Sequence, residues 1–293
     1  MFIATLIAAD RLDGGDISAG RDRLAAAGCA PGDWRWIDAD AAADLTFAAD
    51  PAAARAELEG AFPAVDAVVQ AEQGREKQLL IADMDSTMIT VECIDELADY
   101  AGLRAEISAV TERAMRGEID FEGALTGRVA LLAGLEAAVL DRCYEERVRI
   151  MPGAKPLVRT MRARGGHAVL VSGGFTHFAD RVAAEIGFDR AVSNRLGLTD
   201  GRLDGTVGRP IVGSDRKRIE LDAAIAAHGL TAGQALAVGD GANDIPMIQA
   251  AGLGVAYHAK PATAAAAGAR IDHGDLHSLL YAQGIARRDW VLD

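Results

Sequence analysis

Four apolar runs constrain this chain more than any other feature: QLLIAD (78–83), HAVLVS (167–172), ALAVGD (235–240) and GLGVAY (252–257). A strand with one face in water alternates apolar and polar residues. These runs are continuous, which is the pattern of strands buried on both faces. The stretches between them are helix-forming. In FTHFADRVAAEIGF, for instance, Phe175, Phe178, Val182 and Ile186 share one helical face. Strands alternating with helices specify a doubly wound, mostly parallel α/β sheet of Rossmann-like type.

About 80 residues separate the first two runs, far more than one crossover helix needs. The segments ECIDELADYAG, AEISAVTERAMRG, FEGALTGRVALLAG and LEAAVLDRCYEERV predict a helical cap inserted at about residues 90–150. The stretch VSNRLGLTDGRLDGTVG carries turn signals at Asp200-Gly201 and Asp204-Gly205, so a β-hairpin is expected there. KPATAAAAGA reads as a helix. Ahead of the first run, residues 1–75 follow the order β-α-β-β-α-β of a ferredoxin-like (ACT-like) unit, leaving 76–293 for the main domain. Such a front unit could hold an amino-acid effector, join two copies as a homodimer, or simply pack on the core.

With 30 basic against 43 acidic residues, the net charge is −13. That argues against a non-specific binder of nucleic acid or anionic membrane, which needs a basic face. No apolar stretch approaches the ~18 residues of a membrane span. The opening MFIATLIAAD has no positive segment before its apolar run and reads as a strand, not a signal peptide. Cys29, Cys93 and Cys143 are widely spaced with no CxxC pair, so reduced, buried thiols in a cytoplasmic setting are expected. The six histidines form no tight metal motif and are expected to be structural or surface residues.

The polar residues gather where the strands end. The first run closes on Asp83 and Asp85, the second on Ser172, Gly173 and Gly174, and the third on Asp240, with Asn243 and Asp244 just beyond. In a parallel sheet these carboxyl ends share one edge, where open α/β sheets bind ligands. Four carboxylates in one crevice repel each other, so a divalent cation is expected, and an all-oxygen donor set suits Mg²⁺. Asp83 and Asp240 lead as ligands, with Asp85 beside them. Asp244 fits either a supporting ligand or a helix cap before Pro246. Ser172 and the amides after it suit a phosphate. Lys217, in DRKR, suits a phosphoryl group or plain solvent, and spacing alone favours solvent.

The order DMDST, SGG, lysine, GDGANDIPM resembles the haloacid dehalogenase superfamily of phosphohydrolases, over roughly residues 79–282. Within it the motifs are most similar to the phosphoserine phosphatase family. That resemblance implies Mg²⁺-dependent hydrolysis of O-phospho-L-serine, the last step of serine biosynthesis, through an aspartyl phosphate. It implies Asp83 as nucleophile, Asp85 as general acid/base, and Asp240 as a metal ligand. Ser172 and Lys217, with Gly173, Gly174 and Asn243, would hold the phosphate. In the cap it implies Glu92 for the substrate ammonium, Arg128 for its carboxylate, and Met115 and Phe121 as pocket walls. A related small-molecule phosphatase or phosphotransferase would share the core chemistry, and a phosphoacceptor signalling module would share the acidic strand ends. A dinucleotide-binding domain is disfavoured, since no G-x-G-x-x-G follows the first α/β strand.

Overall fold

The computed structural model describes residues 1–115 and 118–292. The front of the chain runs β1 (Phe2–Ala8), α1 (Gly14–Ala26), β2 (Pro31–Asp38), β3 (Ala42–Phe47), α2 (Pro51–Leu58) and β4 (Val65–Ala71). Its strands form an antiparallel sheet in the order β2-β3-β1-β4, the ferredoxin-like arrangement. Local chemistry sets the helix starts. Asp13 accepts from the amides of Gly15 and Asp16, while Asp16 reaches back to the amide of Asp13. Pro51 opens α2 behind Asp50, whose carboxylate accepts from the amide of Ala53.

The core follows as β5 (Leu79–Ala82), then α3 (Cys93–Ala101), α4 (Arg104–Met115), α5 (Phe121–Leu131), α6 (Ala138–Arg147) and α7 (Ala154–Ala163). Next come β6 (His167–Phe175), α8 (Thr176–Ile186), β7 (Arg190–Asn194), β8 (Leu196–Thr199), β9 (Arg202–Val207) and α9 (Ser214–Ala227). The chain closes with β10 (Ala235–Gly239), α10 (Ile245–Ala250), β11 (Leu253–Tyr257), α11 (Pro261–Ala266), β12 (Ala269–Ile271) and α12 (Ser278–Ala282). Six strands pair in parallel in the order β12-β11-β10-β5-β6-β7, with β5 between β10 and β6. Alternate residues feed two separate cores. Leu80, Ala82 and Leu170 face one side, while Leu79, Ile81 and Val171 face the other. Continuous apolar runs are the consequence of that double burial.

The expected helices of the cap appear as α3 to α6. The chain leaves and re-enters the core side by side, with Ile89 bridged to Ile150 and the amide of Thr90 donating to the carbonyl of Arg149 at 3.0 Å. Two short strands escape the sequence reading. Arg190–Asn194 extends the main sheet as β7, so the hairpin shrinks to β8 and β9. KPATAAAAGA is helical only to Ala266, and Ala269–Ile271 forms the edge strand β12. Both are edge strands of five residues or fewer, whose pattern is too brief to declare itself. The hairpin also has a use not read from sequence: β9 packs under α5, with Leu203 in the same core as Leu125 and Val129.

The second face of the front sheet is not left to solvent. Arg75, between the two sheets, places Nη1 and Nη2 on the carboxylate of Asp44 at 2.7 and 3.0 Å and Nη2 on Thr5 Oγ1 at 3.1 Å. It also donates to the carbonyls of Tyr281 and Ala282 at the end of α12. Asp66, on β4, accepts from the amides of Asp272, His273 and Gly274 in the core. All three cysteines are free and buried.

Candidate active site

The strand register brings the acidic ends together. Ala82 pairs with Val238 of β10 on one side and with Leu170 of β6 on the other, so Asp83, Asp240 and Ser172 follow at one edge. Asp83 is 5 % exposed, and its Oδ1 accepts from the amide of Met84 at 2.7 Å. The same oxygen lies 2.7 Å from Lys217 Nζ. Lys217 is fully buried, and Nζ also donates to Asp244 Oδ1 at 2.6 Å. The solvated lysine favoured by spacing is therefore corrected. Lys217 lies on the inward face of α9 with Leu221 and Ala224, the i+4 and i+7 positions, and that periodicity was the signal available in the sequence.

Asp244 is 0 % exposed and makes no side-chain cap on α10. Its carboxylate instead accepts from Lys217 and from the amide of Gly241 at 3.0 Å. Oxygens of Asp83, Asp240 and Asp244 lie within 4.8 Å of one another. Asp85 is not in that group. Its Oδ1 accepts from the amide of Cys93 at 3.2 Å, at the start of α3, so its carboxyl turns toward the cap.

The electrostatics follow from burial and crowding. Burial pushes Asp85 well above the ordinary carboxylate range, and the charges of Glu92 and Asp83 push it further. Burial, then Asp83 and Glu92, carry Asp240 up to about 6. Burial and Asp83 carry Asp244 up to about 7, against the opposing pull of Lys217. Three hard oxygen donors with one ammonium among them form a set short of positive charge, which is the donor chemistry a divalent cation satisfies.

In front of these acids lies a cleft of about 280 Å³ between sheet edge and cap, lined by Asp83, Asp85, Asp240 and Asn243 from the core. The cap contributes Glu92, Phe121 and Arg128. Phe121 opens α5 behind Asp120, which accepts from the amide of Gly123 at 2.7 Å. Arg128, in the last turn of α5, gives Nε to the carbonyl of Ala124 at 3.3 Å and forms no ion pair among the described residues. Burial lowers its pKa, offset by Asp95, Glu92 and Asp85 around it. Glu92 Oε1 accepts from Ser86 Oγ at 2.6 Å.

Gly173 and Gly174 line the cleft, whereas Ser172 is fully buried behind them, its Oγ accepting from the amide of Gly174 at 2.8 Å. These residues belong to β6, and α8 begins just after them at Thr176, with Phe175 as its N-cap. A side chain at Gly174 would place Cβ 2.7 Å from Asp85 Oδ2, so only glycine lets β6 approach that acid. Met115 ends α4, and its side chain lies outside the described residues. Sequence reasoning missed Lys260, which follows β11 and also lines the cleft. Its signal was position, since β11 ends on the same edge as the acids.

With this geometry in place, comparison with known proteins is informative. A family model described as haloacid dehalogenase-like hydrolase matches residues 80–249. The chain belongs to that family. A phosphoserine phosphatase of a Polaromonas species is 48% identical to this hydrolase over 208 residues, 69% of the chain and 88% of that protein. Among solved structures, a haloacid dehalogenase family hydrolase from Salmonella enterica serovar Typhi superposes with a TM-score of 0.84 at 29% identity. It covers 96% of this chain and 98% of its own. A structure described as a phospho-aspartyl intermediate analogue of phosphoserine phosphatase superposes at 0.66 with 35% identity, over 70% of this chain and 98% of its own. Among the described residues no helix is long and apolar enough to cross a membrane.

Proposed function

We propose that this hydrolase cleaves O-phospho-L-serine to L-serine and phosphate through an aspartyl phosphate on Asp83. The observation that carries the reading is the division of the cleft. A pair of acids two residues apart occupies the sheet edge, and the guanidinium of Arg128, with no ion pair among the described residues, occupies the cap together with the carboxylate of Glu92. The first half suits phosphoryl transfer. The second suits an α-amino acid, whose carboxylate Arg128 would grip and whose ammonium Glu92 would meet. Phosphoserine joins those two groups in one small molecule, and the names carried by the relatives agree.

In this mechanism Asp83 Oδ1 is tied to Lys217 and the Met84 amide, which leaves Oδ2 as the attacking oxygen. It bonds to phosphorus as the P–O bond to serine breaks. Asp85, raised by burial toward its protonated form, gives its proton to the departing serine oxygen. It then takes a proton from the water that cleaves the acyl phosphate, restoring both acids. Asp83, Asp240 and Asp244 would hold Mg²⁺, which would supply positive charge to offset that of the phosphoryl group. Asp85, also expected as a ligand, is assigned proton transfer instead. Lys217, the Gly173 and Gly174 backbone and Asn243 would bear on the remaining phosphoryl charge.

The test is phosphate release from O-phospho-L-serine with Mg²⁺ and after chelation. We expect multiple turnover with Mg²⁺ and its loss with chelator. Release from aryl phosphates but not from phosphoserine would leave the core chemistry and refute the substrate.

A further inference from the structure

Lys260 stands apart from the other cations of the site. Lys217 is fixed between two carboxylates, and Arg128 belongs to the cap. Lys260 is exposed at the cleft, and among the described residues its ammonium makes no hydrogen bond or ion pair. Its backbone is fixed nonetheless. The amide donates to the carbonyl of Asp240 at 3.2 Å, and the carbonyl accepts from the amides of Thr263 and Ala264, both at 3.0 Å. Pro261 follows, setting the start of α11. The lysine is therefore anchored to the loop that carries Asp240, with a free side chain at the mouth.

The cleft needs such a charge. Among the described residues, Asp83, Asp85, Glu92 and Asp240 line it against Arg128 and Lys260, in a chain of net charge −13. A phosphoryl dianion approaching this mouth meets a negative field. The ammonium of Lys260 favours the ionised forms of both Glu92 and Asp240, and on Asp240 its effect exceeds that of Lys217. It thus sits within electrostatic reach of both the cap and the acid cluster.

We infer that Lys260 is a further substrate-positioning residue, whose uncommitted ammonium draws the phosphoryl dianion into the cleft and holds its outer face. The inference rests on the phosphatase reading, but on the phosphoryl group alone, not on the serine. It therefore extends to any phosphomonoester the site accepts.

The experiment compares the full-length protein with K260M and K260R, on O-phospho-L-serine and on p-nitrophenyl phosphate, across a series of NaCl concentrations. Lys260 makes no side-chain cap, so K260M should leave the fold intact, which circular dichroism checks. We expect K260M to lose about tenfold in kcat/KM on both substrates, mostly in KM, with a flatter salt dependence. K260R should keep most of the activity. Calorimetric titration with inorganic phosphate in Mg²⁺ buffer should show a similar loss of affinity. An unchanged kcat/KM and salt slope in K260M would overturn the inference, as would a loss confined to kcat or to phosphoserine. If the wild type hydrolyses only the aryl phosphate, the serine reading falls while Lys260 is still decided.

Discussion

Asp44 with Arg75 and Asp83 with Lys217 are both buried ion pairs, and they treat their charge in opposite ways. Asp44 is 1 % exposed and receives Arg75 on both oxygens, with Thr5 Oγ1 donating at 2.9 Å and Arg35 Nη2 at 3.2 Å on the open side. The spare donors of Arg75 end on the last carbonyls of α12, where a cation also meets the negative end of the helix. Every group has a partner, so the cluster holds the front sheet on the core. Around Lys217 there are two close carboxylates, a third within reach, and one ammonium. That cluster is unbalanced, and the excess negative charge is what a metal and a phosphoryl group would use.

The contrast can be broken in both directions. Asp83→Asn should cut phosphoserine turnover by roughly 10⁴-fold or more and abolish any alkali-labile phosphoenzyme, while leaving Tm unchanged or higher. A surviving phosphoenzyme would place the nucleophile elsewhere. Arg75→Ala should do the reverse, costing about 3–5 kcal/mol in urea unfolding, because it strands a buried carboxylate, with kcat little affected in the folded protein. Replacing both partners, as Arg75→Met with Asp44→Leu, should recover much of that loss; no recovery would mean that the carbonyl contacts dominate.

Arg128→Ala tests the cap half of the cleft. It should lower kcat/KM for O-phospho-L-serine about 10- to 100-fold and that for p-nitrophenyl phosphate much less. Equal losses on both would remove the carboxylate role.

The smallest effect concerns pH. Asp240 at about 6 and Asp244 at about 7 stand above the ordinary carboxylate range, so the folded protein binds more protons there than the unfolded chain. In the absence of metal, this cluster's contribution to stability should fall as pH rises from about 4 to about 7. Mg²⁺ requires the ionised ligands, so its stabilising shift in Tm should be larger at pH 8 than at pH 5.5. The opposite order would remove these acids from the metal site.

The same contrast explains what could be read in advance. The strands β5, β6, β10 and β11 were legible because burial on both faces forces continuous apolar runs. Asp83, Asp85 and Asp240 were legible because a charge closing such a run has few structural uses. Lys217 was expected through the family resemblance, whereas DRKR by itself looks solvated until the helical face shared with Leu221 is considered. β7, β12 and Lys260 were missed, being two short edge strands and an exposed lysine without a motif.

The sequence by itself determined the order of elements, the acids at the strand ends and the helical insertion, because these depend on local pattern and period. Tertiary structure alone decided which acids converge. It left Asp85 outside the close group of Asp83, Asp240 and Asp244, buried Lys217 between two of them, and left Arg128 and Lys260 without an ion pair among the described residues. Arg75 makes the same point. In QGREKQ it is one charge among several in a polar linker, yet it ties Thr5, Asp44, Tyr281 and Ala282 together. Pairing over such separations is set by strand register and packing, and no local pattern in the chain encodes it.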